Sequence, residues 1–240
     1  MNIKYINMIK KNKSSGFTLL ELLIVIAILA ILSVALVLVL NPAETLKKAR
    51  DSQRISDLST IKTAIGLYMT TVSPAYLGGV NNNNFCKDTP LVGAVWGVNP
   101  ATSKISYSYT GATLIADTSL DSSTLASFRQ LTTVPLASVV DGSGWIPVKF
   151  SDIPGGSPIS NIPLDPTNTM TAPATAVAFT DLVYRYGCSV TPLSFEIDAQ
   201  LESDAYTVTD DKRASDGGNT ATLYEVGTNL LILGTGSNNF

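Results

Sequence analysis

Residues 17–40 form an apolar run that limits what the whole chain can fold into. The run reads FTLLELLIVIAILAILSVALVLVL; 21 of its 24 positions are apolar and none is Gly, Pro or basic. A helix made from it has no polar side, so it cannot lie on a soluble domain with one face in water. Helical residues in that number span about 36 Å, enough to cross a hydrocarbon core of about 30 Å. Three fates fit such a run: a secretory signal removed whole, a plain single-span anchor, or an anchor that is also an assembly element. Its length, and the lack of a small-x-small cleavage site after it, argue against the first. Glu21 argues for the third, because a carboxylate in an apolar span is costly and is usually kept for function. The plainer alternative for Glu21 is a side chain close enough to the interface to reach water or take up a proton.

The rest of the chain has another character. Residues 41–240 are about 40% apolar, a composition compatible with one water-soluble domain. The 240-residue sequence contains no histidine, which excludes a Ser-His-Asp triad, a Cys-His pair and an HExxH zinc site. No phosphate-binding G-x-x-x-x-G-K-[ST] loop is present. The sequence marks no catalytic residue, no cofactor-binding residue and no metal ligand, and the chain is not expected to be an enzyme. Net charge is −3, but the charges of residues 1–16 are all lysines (Lys4, Lys10, Lys11 and Lys13), so the remainder carries −7. An acidic remainder argues against a broad nucleic-acid-binding face.

Beyond the apolar run, Asn41-Pro42-Ala43-Glu44 reads as a helix restart, with Asn as cap, Pro at the first helical position and Glu three residues after the cap. A kink at Pro42 is the alternative. Ile55, Leu58, Ile61, Ile65 and Tyr68 then recur every three or four residues, the stripe of an amphipathic helix. Arg50, Asp51, Arg54, Asp57 and Lys62 are expected mostly on the other faces. Lys47, Lys48, Arg50 and Arg54 either touch anionic lipid head groups or belong to a solvated face.

Residues 71–173 are rich in Gly, Pro, Ser, Thr and Asn. Residues 81–84, four asparagines, read as a loop tip, and Gly155, Gly156, Pro158, Pro163 and Pro166 mark a surface loop. Residues 102–109 read as a strand and 122–131 as a short helix. Residues 175–186 hold one or two strands. Residues 193–201 alternate, with Leu193, Phe195, Ile197, Ala199 and Leu201 expected inside and Ser194, Glu196, Asp198 and Gln200 outside, the pattern of a half-buried antiparallel strand. A hairpin loop is expected at 187–192, and further strands at 223–226 and 229–233. Asp210, Asp211, Asp216, Gly217 and Gly218 form an acidic loop without EF-hand spacing, read as a solvated turn in preference to a calcium site.

The sequence around Gly16 carries a resemblance. Lys11-Asn12-Lys13-Ser14-Ser15-Gly16-Phe17-Thr18-Leu19-Leu20-Glu21 resembles the processing site of type IV prepilins and type II secretion pseudopilins: a short basic leader, a Gly, then Phe-Thr-Leu-x-Glu opening an apolar helix. Residues 41–69 are similar to the second half of the pilin-family helix. The resemblance implies an α+β fold, with a long N-terminal α-helix, transmembrane in its first half, packed on a small antiparallel β-sheet head. It divides the chain into a leader (1–16), a transmembrane and filament-core helix (17–40), its amphipathic continuation (41–71) and a pilin-like head (72–240). It implies cleavage between Gly16 and Phe17 by a prepilin peptidase, N-methylation of the new Phe17 amine, and an assembly role for Glu21 opposite that amine in a neighbouring subunit. The implied function is a structural subunit of a type IV pilus-like filament; a pseudopilin acting in protein export and a minor or competence pilin that binds DNA are the alternatives. The implied partners are identical subunits in a helical filament, the peptidase, an assembly platform and the membrane, with no cofactor. The leader is placed in the cytoplasm by the resemblance, since basic residues on both sides of the span leave the positive-inside rule nearly balanced. The head would lie outside the cytoplasm, and the assembled filament at the cell surface. Cys86 and Cys188 would then meet an oxidising space, where they either pair or stay as two buried thiols.

Overall fold

The computed structural model describes residues 16–87, 105–111, 128–129, 136–171 and 178–233. The chain divides into two compact units, Met1–Ala43 and Glu44–Phe240. Helix α1, Leu19–Leu40, is the regular part of the first. It closes at Asn41, which adopts a left-handed conformation (φ 36°, ψ 71°) that asparagine tolerates better than most residues. Helix α2, Pro42–Thr71, follows, opening on a proline whose missing N–H would be unpaired there in any case.

The second unit is an α+β head. Strands β1 (Ile105–Tyr107), β2 (Phe128–Arg129), β3 (Tyr184–Val190), β4 (Leu193–Ala199) and β5 (Tyr224–Gly227) form one sheet in the order β2-β1-β3-β4-β5. Four of them, β1, β3, β4 and β5, are antiparallel neighbours, and β2 lies parallel to β1 at one edge. Leu58, Ile61, Ala64, Ile65 and Tyr68 of α2 pack on Tyr184, Tyr186, Cys188, Phe195, Ile197, Ala199 and Val226 of the sheet. Each fully buried Ile, Leu or Phe among them contributes about 1.5–3 kcal/mol. Residues 136–171 have little regular structure, yet Trp145, Ile146, Val148, Phe150, Ile153 and Ile162 belong to the same core. The Trp145 indole donates to the Pro163 carbonyl at 2.9 Å, and the Phe150 ring meets Tyr68 edge-on at 6.3 Å.

Several sequence expectations are corrected. Within 122–131 the described residues, 128 and 129, are strand and not helix; the others lie outside the described set, as do 102–104 and 175–177. The hairpin turn is only Thr191-Pro192, because β3 runs on to Val190. Residues 229–233 are a succession of turns, not a strand. Most consequential, the second face of β4 is not solvent-facing: Ser194, Glu196 and Asp198 are as buried as the core. Alternation reports that a strand has two different faces; whether the polar one is wet depends on what covers it. Here Ile232 and Leu233 join Ile105, Tyr107, Val183 and Leu223 in a second apolar cluster, to which β1 contributes from that face.

Candidate functional site

The N-terminal motif builds its own helix start. Thr18 is extended (φ −79°, ψ 151°), and α1 begins directly after it. The Thr18 hydroxyl accepts from the Glu21 N–H at 3.2 Å, while Glu21 Oε2 accepts from the Thr18 N–H at 2.8 Å and from the Thr18 hydroxyl at 2.9 Å. This is a reciprocal capping box, which satisfies backbone donors left open by the first turn. Glu21 thus has hydrogen-bond partners inside a single chain.

Gly16 precedes the cap in open space, with nothing near the position a Cβ would take, and Phe17 is 84% exposed. Along α1 the apolar side chains among the described residues lie bare, the large ones between 46% (Val25) and 88% (Leu19) exposed. Ser33 returns its hydroxyl proton to the Leu29 carbonyl at 2.7 Å, so this polar group is satisfied within the helix. The segment is long and apolar enough to cross a membrane. Exposed apolar surface on this scale marks contact with lipid or with protein.

The first turns of α2 tell a different story from the sequence. Lys47 lies 4.0 Å from Glu44, Lys48 sits over the Tyr206 ring at 5.7 Å, and Arg50 Nε reaches Glu202 at 2.8 Å. Arg54, expected on an outer face, is fully buried with Asp51. Its guanidinium holds Asp165 by Nε and Nη2 at 2.7 and 3.0 Å, Asp51 and Glu202 by Nη1 at 2.8 and 2.7 Å, and the Thr167 hydroxyl at 3.1 Å. Asp51 in turn accepts from the backbone N–H groups of Glu202 and Ser203. Asp57, also expected outside, is buried; it accepts from the Tyr184 hydroxyl at 2.9 Å and from Gln53 at 2.6 Å. Burial pushes the Asp57 carboxyl up despite those bonds. The signal for this cluster lies in the spacing: Asp51, Arg54, Leu58, Ile61, Ile65 and Tyr68 continue one stripe at intervals of three and four, so its charged upper end belongs to the same buried face.

Cys86 and Cys188 are bonded to each other, 102 residues apart, with Cα atoms 4.6 Å apart. Beside the bridge, Lys87 pairs with Ser189 as one more rung on β3. In the acidic loop, Asp210 pairs with Lys212 and Asp211 with Arg213. Asp216 accepts from the N–H groups of Gly218 and Glu225, both at 2.8 Å. Among the described residues no group of three acidic, Cys or His side chains is arranged to hold a metal ion.

These features define a class: an α+β head carried behind an apolar helix that opens on a capped Phe-Thr-x-x-Glu segment. Residues 11–37 match the family model of the prokaryotic N-terminal methylation motif, the signature of type IV pilins and pseudopilins. The motif supports a pilin-like or pseudopilin subunit and points to a structural component, not an enzyme. No curated protein and no solved structure matches the chain.

Proposed function

We propose that this chain is a structural subunit of a type IV pilus-like filament. A prepilin peptidase removes residues 1–16 and methylates the new amine of Phe17. Residues 17–40 hold the subunit in the membrane and then pass into the filament core, 41–71 carry the helix on, and 72–240 form the acidic head. The observation that carries this reading is the bare apolar surface of α1, which follows Gly16 and Phe17 and carries Glu21 in its first turn. Lipid covers such a surface before assembly, and copies of the same helix cover it afterward.

Glu21 supports the reading through its chemistry. Cleavage frees an amine at Phe17, four residues before Glu21, and parallel copies of the helix can bring one chain's amine to another's carboxylate. A buried carboxylate left unpaired is expensive, whereas a paired one fixes axial register. The pseudopilin reading rests on the same motif, which both kinds of subunit share. Immunogold electron microscopy of cells producing the chain separates them: long labelled surface filaments favour the pilus, and their absence in cells whose protein export fails without the chain favours the pseudopilus. Processing itself is tested by co-expression with a prepilin peptidase, where the wild-type chain shortens and Gly16→Val does not.

A further inference from the structure

The face of the sheet turned away from α2 is lined with buried ionisable groups. Register places Arg185 opposite Asp198, Asp198 opposite Glu225, and Glu196 opposite Gly227 on that face. Carboxyl groups knit residues 216–233 together and tie their C-terminal end to β4. Asp216 accepts from Gly218 and Glu225, Glu225 Oε2 from the Thr220 N–H at 3.0 Å, and Glu196 Oε2 from the N–H groups of Ile232 and Leu233 at 2.7 and 2.8 Å. Gly218 leaves the room this needs, since a Cβ there would run into the Glu225 carboxylate.

The cations nearby have partners. Arg185 donates to Asp198 at 3.1 Å and to the Ala178 carbonyl at 2.9 Å. Lys87 Nζ donates to the Ile232 carbonyl at 2.8 Å. Glu196 Oε1 and Glu225 Oε1 are both buried and have no hydrogen-bond partner, and the register sets the two side chains at diagonal positions of adjacent strands on this one face, within reach of each other. Ionised carboxylates only accept. Two of them in contact, away from water, cannot both be charged.

We propose that Glu196 and Glu225 share one proton, held between the two carboxyls, and that this proton latches residues 216–233, the strap that carries β5, against β4. Burial pushes both carboxyls up, so one of the two keeps its proton. Asp198 and Asp216 add negative charge from β4 and from the turn before β5, and Arg185 on β3 offsets the first of them. The closed strap keeps a proton that an opened strap, with an ordinary carboxyl near 4.5, releases; opening therefore becomes easier as pH rises above that value, by about tenfold per pH unit until the closed form also ionises. This latch is independent of the filament reading.

The test is hydrogen exchange, read by mass spectrometry on peptides within 216–233, of the full chain in detergent micelles. Glu196→Gln supplies the donor permanently, and its carbonyl can still accept from Ile232 and Leu233. The ratio of strap opening in wild type to that in Glu196→Gln cancels intrinsic exchange and the titration of Asp198, which burial pushes up to about 7. The expected ratio rises about tenfold per pH unit between about pH 6 and about pH 8. Glu225→Gln, donating from the other side, should give the same rise. A flat ratio overturns the latch. So does failure of both glutamine variants to fold, since each replaces the shared proton in place.

Discussion

Arg54 and Asp165, 111 residues apart, form a two-pronged contact at 2.7 and 3.0 Å with both side chains fully buried. The same guanidinium holds Asp51 and Glu202, so one side chain ties α2 to the irregular segment before β3 and to the chain leaving β4. Removing it strands carboxylates away from water. Arg54→Met is expected to destabilise the chain by about 3–5 kcal/mol, a fall in melting temperature of about 10 °C, followed by circular dichroism. Arg54→Lys should recover only part of this, because an ammonium cannot match the planar fork on Asp165. Lys62→Ala, on the exposed side of α2, should change little.

Acid should act on the same cluster through Glu202. Burial alone would raise this carboxyl, but hydrogen bonds from Arg50 and Arg54 outweigh it and hold it below its ordinary value of 4.5. A lowered folded value means stability that is present in full above 4.5 and is lost as pH falls through the lowered value. Glu202→Gln should cost about 1.5–3 kcal/mol at neutral pH, and the gap to wild type should close in acid. Denaturant melts at a series of pH values check this; a gap that does not depend on pH would contradict it.

The disulfide closes a loop of 102 residues between Cys86 and β3. Loop entropy for that span gives about 4–5 kcal/mol, with measured losses usually about 2–5. Reduction, or Cys86→Ala with Cys188→Ala, should lower the melting temperature accordingly, and alkylation of the unreduced chain should label no thiol.

The observed capping role of Glu21 and the proposed pairing with a neighbour's amine can be separated by one substitution. Gln at the same position can still complete the capping box with Thr18, but it carries no charge for a neighbour's amine. Glu21→Gln is expected to insert, to be cut after Gly16, and to fail to assemble. Filaments at wild-type yield, quantified after shearing from cells, would show that capping alone is the role of this carboxylate.

Much of this architecture was legible in the residues. The bare helix follows from composition, and the core side of β4 from Phe195, Ile197 and Ala199 at every second position. Periodicity failed where charge and burial coincide. Arg54 and Asp57 read as outer-face residues because ionised side chains are rarely buried; they are buried because partners at 165, 184 and 202 meet them there, and no local pattern announces a partner more than a hundred residues away. Glu196 and Asp198 misled in the same way, since the segment that covers them contains turns that carry no strand signal. The N-cap is the opposite case: Thr18 and Glu21 are three residues apart, and their spacing states the capping box outright.

We propose that the chain is cut between Gly16 and Phe17 and methylated on the new Phe17 amine before it assembles. The intact mass and N-terminal sequence of the mature chain, purified from cells that carry a prepilin peptidase, test it most directly. The expected mature chain begins at Phe17, lighter by residues 1–16 and heavier by one methyl group on the Phe17 amine. A mature chain that keeps its leader, or that begins beyond residue 40, would contradict it.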